Sequence, residues 1–220
     1  MFDFNLMHII AGLPGLLIAM VIHEYAHAQV AVWLGDFTPR LMGRLTLNPI
    51  PHIDPLGLGC FVLTSLCTPF VFGWAKPVPV NPRHFRNVRR DMLLVSAAGP
   101  LCNFLLALLM GLCLRLLLAT ASDSFILNTS AGNFVLQMLL SGISANLVLA
   151  WFNLIPIPPL DGGHILECLL PPHLAQRLAG MGRLGFVILA ALLAVGALNK
   201  VLLPLLQFSY NSVLKIAGVL

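Results

Sequence analysis

Charge is what this chain has least of. Asp, Glu, Lys and Arg make up 9% of its 220 residues, and glutamate occurs twice, as Glu24 and Glu167. With 59% apolar residues, a soluble domain of this size would leave far too much apolar surface in water, so the composition excludes one and points to an integral membrane protein. Cysteine is scarce and odd in number. Its five positions (60, 67, 102, 113, 168) include no CxxC pair and lie mostly in apolar stretches, which argues against a disulfide framework or a cysteine zinc site. No internal repeat is visible, which disfavours a repeat-built transporter. The net charge of +4 is explained by membrane topology rather than by nucleic-acid binding.

Against that background, one polar cluster inside an apolar run from about Leu13 to Leu34 is conspicuous: His23-Glu24-Tyr25-Ala26-His27. Residues i and i+4 of an α-helix share a face, so both imidazoles can bind one zinc ion. Glu24 beside the first ligand suits the general base of an HExxH metalloprotease. An ionisable group within a membrane span is costly and is read first as functional. The bland alternative is a polar cluster that ties helices together by hydrogen bonds.

Further apolar segments run over roughly 55–74, 92–118, 134–156 and 184–206, with a weaker one near the C-terminus. The expected fold is an all-α polytopic membrane protein, a bundle of about five to six transmembrane helices. Met1-Phe2-Asp3-Phe4 has no basic residue and no small-residue cleavage site follows the first apolar run, so that run is expected to remain as a membrane helix. Residues 55–74 make a poor continuous helix because of their glycines and prolines, and are expected to dip in and return. One integral domain over 1–220 is expected, with the core in 1–170 and added membrane helix or helices in 171–220.

Basic residues set the sidedness. Lys76, Arg83, Arg86, Arg89 and Arg90 precede the third apolar segment and Arg177 and Arg183 the fifth, so both loops are expected on the cytoplasmic side. Near the inner end of the fourth segment stands Asn153-Leu154-Ile155-Pro156-Ile157-Pro158-Pro159-Leu160-Asp161-Gly162-Gly163. A catalytic zinc site needs a third protein ligand, and the candidates are the aspartates and Glu167. Asp161 stands out because irregular backbone at membrane depth must line a cavity or pack in protein. Taken alone, an N-cap for the following helix suits Asp161 equally well. Placing His23 and His27 at the depth of Asp161 puts the N-terminus outside and nine of the twelve basic residues, Arg40 and Arg44 among them, on one side. Residues 55–74 must then cross an even number of times.

HEYAH (23–27), Ala98-Gly99-Pro100-Leu101 with Asn103, and NLIPIPPLDGG (153–163), in that order, resemble the site-2 proteases, intramembrane zinc metalloproteases that cut transmembrane segments of other proteins. GWAKPVPVNP (73–82) is similar to the compact bacterial branch. The resemblance implies that His23, His27 and Asp161 ligate one Zn2+ per chain, that Glu24 is the catalytic base, and that Asn153 holds the substrate backbone or the oxyanion. It also implies a transmembrane protein substrate, such as a membrane-bound regulator, and a place in the plasma (inner) membrane. The inserted soluble regulatory domain common in the family has no room here.

Lys76-Pro77-Val78-Pro79-Val80 is read either as an extended edge for an unwound substrate strand or as a plain proline-rich loop. His52 and Asp54 are expected to cap a loop, His164 to form a hydrogen bond, and Arg115 to snorkel to headgroups. Two other classes stay in view, a membrane metal-binding or transport protein and a non-catalytic relative; the intact Glu24 speaks against the latter.

Overall fold

A computed structural model describes residues 6–67 and 73–220; Met1–Phe4 and residues 68–72 of the expected re-entrant stretch lie outside the described residues. Within them the regular structure is helical, apart from one antiparallel bridge between Ile53 and Ala75. Helix α1 (Leu6–Trp33) leads through a short α2 (Thr38–Leu41) to α3 (Pro55–Cys67). Then come α4 (Val88–Thr120), a short α5 (Asp123–Asn128) and α6 (Ser130–Asn153). The chain ends with α7 (Asp161–Leu169), α8 (Pro172–Ala179), α9 (Gly182–Ala194) and α10 (Ala197–Ala217).

Among the described residues three helices are long and apolar enough to cross a membrane: α1 over Gly12–Trp33, α4 and α6. The bent pair Pro172–Ala179 and Leu184–Ala194 adds a fourth if read as one broken span. The fold is thus the expected all-α membrane type. Helix α4 shows how such a helix is sorted. Leu101, Leu105, Leu109, Leu112 and Leu116 lie exposed along one face, whereas Asn103, Ala107, Gly111 and Leu114 lie buried along the other. Polar and small residues turn inward, with Leu114 packed among them, and most leucines turn outward, as a lipid solvent dictates.

Helices α1, α4 and α6 pack against one another, with α10 closing the side of α4 and α6. Leu114 of α4, Leu139, Ile143 and Leu147 of α6, and Val213 and Leu214 of α10 form the largest buried cluster. Small residues permit the closest crossing: a Cβ on Gly15 of α1 would stand 2.7 Å from the Cα of Gly142 on α6. Helix starts are fixed locally. The Asn87 side chain accepts from Arg90 N–H at 3.2 Å, while Asp91 Oδ2 accepts from Asn87 N–H at 3.0 Å, which satisfies donors that a helix start otherwise orphans.

Two segments depart from expectation or sharpen it. The apolar run over 184–206 is not one helix: α9 stops at Ala194, Gly196 adopts φ +71°, and α10 starts afresh at Ala197. A left-handed glycine just past a helix end is a strong stop signal. The stretch 55–74 opens as the 13-residue α3, about 20 Å long at 1.5 Å per residue and too short to span alone. Its two ends meet: Ile53 bridges Ala75, and Lys76 N–H donates to His52 O at 2.9 Å. The chain therefore returns to where it left, as the parity argument requires.

Candidate metal centre

His23 and His27 stand one turn apart on α1, both buried, with their Nε2 atoms 3.1 Å apart. Their aim is set by α4. His27 Nδ1 meets the Val95 carbonyl at 2.7 Å, and a carbonyl only accepts, so Nδ1 donates. His23 Nδ1 meets Asn103 Oδ1 at 2.6 Å. The orientation of that amide is fixed because Asn103 Nδ2 donates to Ala19 O at 3.2 Å and to Asn146 Oδ1 at 2.8 Å. Asn146 in turn donates from Nδ2 to Gly142 O at 2.8 Å. With each proton placed on Nδ1, both Nε2 atoms present lone pairs, the tautomer a metal ligand needs.

Asp161 Oδ2 lies 3.2 Å from His23 Nε2 and 3.3 Å from His27 Nε2. It is buried and receives no hydrogen bond. With both imidazoles neutral and their protons on Nδ1, three acceptor atoms converge, and such an arrangement repels itself unless a cation sits between. Its dimensions suit zinc. Tetrahedral ligands about 2.0–2.1 Å from the ion stand about 3.3–3.4 Å apart, and two imidazoles plus a carboxylate are a catalytic set with one open position. Among the described residues this is the one group of three such donors.

The backbone explains why the donors come so close. Helix α4 crosses α1 at Gly99, where an added Cβ would run into His27 Nε2 and His23 Cε1. Asp161 is the first residue of α7 and makes no capping hydrogen bond, so the N-cap alternative is not realised. Gly162 and Gly163 let the turn 154–160 fold onto the first turn of α7, where a Cβ would overlap the Leu154 carbonyl and the Pro158 nitrogen. At the other end of α7, Arg89 of α4 donates to Cys168 O at 3.1 Å and to Leu170 O. The aspartate is thus carried by a helix tied at both ends.

Glu24 is half-buried, and its Oε2 accepts from Val78 N–H at 3.0 Å. Asn153 is not drawn into the donor cluster by any hydrogen bond; its Nδ2 donates back to Leu149 O at 3.0 Å within α6, which leaves its second N–H and Oδ1 free. His52 is fully buried with Nε2 donating to Thr46 O at 2.9 Å, and Asp54 accepts from Leu56 and Gly57 N–H at the start of α3. His164 Nδ1 pairs with Glu167 Oε2 at 3.2 Å. Arg115, exposed on α4, donates to Ile216 O at 3.3 Å near the end of α10.

Sequence reasoning missed Asn146 and the Asp36–His84 pair, and it met Asn103 only as part of a motif. The signal for both asparagines was an amide inside a long apolar helix. Asp36 lies beyond the end of α1 and is fully buried. Burial pushes its carboxyl up, but hydrogen bonds from Thr38, Asn81 and His84 outweigh this and hold its pKa below the ordinary value.

The profile of Peptidase family M50 matches residues 116–194, a stretch that includes Asp161. "Putative zinc metalloprotease YwhC" of Bacillus subtilis is 40% identical over 201 residues, 91% of this chain and 88% of that protein. The chain belongs to peptidase family M50. "Putative zinc metalloprotease Rip2" of Mycolicibacterium smegmatis is 32% identical over 200 residues, 90% of this chain and 72% of that protein. Its namesake in Mycobacterium tuberculosis is 32% identical over 194 residues, 85% and 68% respectively. No solved structure matches the chain. As an M50 member, a site-2 protease, the chain is a multi-pass membrane zinc metalloprotease. The relatives' matches extend this membership over nearly the whole chain, beyond the residues the family profile covers.

Proposed function

We propose that His23, His27 and Asp161 hold one zinc ion and that Glu24 is the general base of a peptide-bond hydrolysis in or near a transmembrane segment of another membrane protein. The observation that carries this reading is the convergence of His23 Nε2, His27 Nε2 and Asp161 Oδ2 at 3.1–3.3 Å from one another. Zinc bound there lowers the pKa of water toward neutrality and polarises the scissile carbonyl. Glu24, next to the first ligand on α1, takes the proton and delivers it to the leaving amide nitrogen. Asn153, with an unused N–H at the end of α6, is assigned to the developing oxyanion. Burial of both histidines excludes bulk water from the reacting groups.

The site faces the cytoplasmic side of a prokaryotic plasma membrane in this reading, supported by nine of twelve basic residues falling on that side. Residues 1–220 act as one membrane protease domain. The substrate class is a single-pass membrane protein, such as a membrane-bound regulator already trimmed by another protease. Its helix must unwind before cleavage, because intact helical hydrogen bonds shield the peptide bond.

The test is cleavage of a panel of detergent-solubilised transmembrane substrates by the wild type and by Glu24→Gln, with zinc quantified in both. Cleavage by the wild type alone, with about one zinc in each, supports the reading. Equal cleavage by the variant, or a wild type without zinc, refutes it.

A further inference from the structure

The segment Lys76-Pro77-Val78-Pro79-Val80 carries three backbone N–H groups, because proline has none. Two are committed: Lys76 donates to His52 O and Val78 to Glu24 Oε2. Residues that precede proline are confined to extended backbone, so Lys76 and Val78 have little freedom of their own. The direction of the Val78 N–H then depends on the peptide plane it shares with the Pro77 carbonyl.

That carbonyl is held by Arg44. Its Nη2 donates to Pro77 O at 2.9 Å and to Lys76 O at 2.5 Å, while Nη1 donates to Pro51 O. Arg44 is 6% exposed and, among the described residues, pairs with no carboxylate. A peptide unit is rigid and planar, with C=O and N–H pointing in opposite directions when trans. One peptide plane therefore joins a buried guanidinium on its oxygen edge to the Glu24 carboxylate on its nitrogen edge. A cation on the carbonyl also polarises the amide and strengthens its N–H as a donor.

We infer that Arg44 is a positioning residue for the catalytic base, acting on Glu24 through the single Pro77–Val78 peptide group. The inference rests on the reading of Glu24 as base. The planar fork matters, because the ammonium of a lysine cannot span Pro51 O on one side and the Lys76 and Pro77 carbonyls on the other. The prolines on either side of Val78 leave its N–H with no neighbouring donor to compete for the carboxylate.

The experiment uses full-length protein in detergent, labelled with 15N-valine, as wild type, Arg44→Lys, Arg44→Ala and Val78→Pro. It reads the exchange rate of the Val78 amide, kcat and KM on a cleaved transmembrane substrate, and bound zinc. The expected result for Arg44→Lys is Val78 exchange at least tenfold faster and kcat about 10- to 100-fold lower, with KM and zinc unchanged. Added guanidinium is expected to restore part of kcat to Arg44→Ala. Val78→Pro, which deletes the N–H and keeps the carbonyl, is expected to lose kcat to a similar extent, and its combination with Arg44→Lys to be no worse than either alone.

Unchanged Val78 exchange and kcat in Arg44→Lys overturns the inference, as does a kcat loss that follows loss of zinc. Should the Arg44 variants fail to fold, Val78→Pro decides, since wild-type kcat there also overturns it. If Glu24→Gln keeps activity, the base assignment falls, yet Val78 exchange still reports the Arg44 linkage, so the two failures are distinguishable.

Discussion

Gly99 sets how near α4 comes to His23 and His27, the proposed metal ligands, since a Cβ there would occupy the space of both imidazoles. Gly99→Ala is accordingly expected to reduce bound zinc from about one per chain to a small fraction while helix content by circular dichroism holds. Asn146 sits two hydrogen bonds from His23, the proposed ligand it supports through Asn103. Asn146→Leu leaves Asn103 free to turn its amide, and zinc affinity measured by chelator competition is expected to fall about 10- to 100-fold. His23, Glu24 and His27 were legible in the sequence because their chemistry is carried by an i, i+4 spacing that any helix turns into a shared face. Asp161 was legible through the broken helix before it. Arg44 and Asn146 were not, because their meaning lies in partners about 30 and 43 residues away along the chain. Read alone, Arg44 was one more positive charge for the sidedness count.

At the scale of elements, the three spanning helices follow directly from long apolar runs, whereas the shorter pieces depend on contacts that hydropathy does not report. The break between α9 and α10 turns on the conformation of one glycine, Gly196, within a run that stays apolar. The segment 81–84 shows the same dependence. Asn81 N–H donates to Asp36 Oδ2 at 2.7 Å and His84 Nδ1 meets Asp36 Oδ1 at 2.8 Å, which binds the loop before α4 to the chain leaving α1. The Asp36 pKa is lower in the folded protein than its unfolded value of about 3.9. The carboxylate therefore contributes its full stabilisation above that unfolded value and loses it as pH falls through the folded one. Asp36→Asn is expected to cost about 1.5–3 kcal/mol at neutral pH and to flatten the decline of thermal stability below about pH 4, as differential scanning in detergent would record. Unaltered acid sensitivity would assign that decline to other carboxylates.

For the whole molecule, the proposed orientation is open to a labelling test. In a cysteine-free background, Ser124→Cys on the short α5 between α4 and α6 is expected to react with a membrane-impermeant maleimide on intact cells, and Arg86→Cys only after permeabilisation. The reverse pattern would invert the topology and put the metal centre toward the other face. The proposed sidedness rests on nine like charges counted in the sequence, while the way the helices close around the histidines was not legible there. The closed neck of the 53–76 excursion bears on how such a protease can diversify. Ile53 with Ala75 and His52 with Lys76 fasten the excursion where it leaves and rejoins the body, next to the strap that reaches Glu24. Loop-closure entropy grows only slowly with length, so a knot at the base lets the apolar part beyond it be lengthened, shortened or exchanged at small cost. The excursion is in that sense a replaceable cartridge: its outer sequence can change while the geometry behind the neck keeps its register.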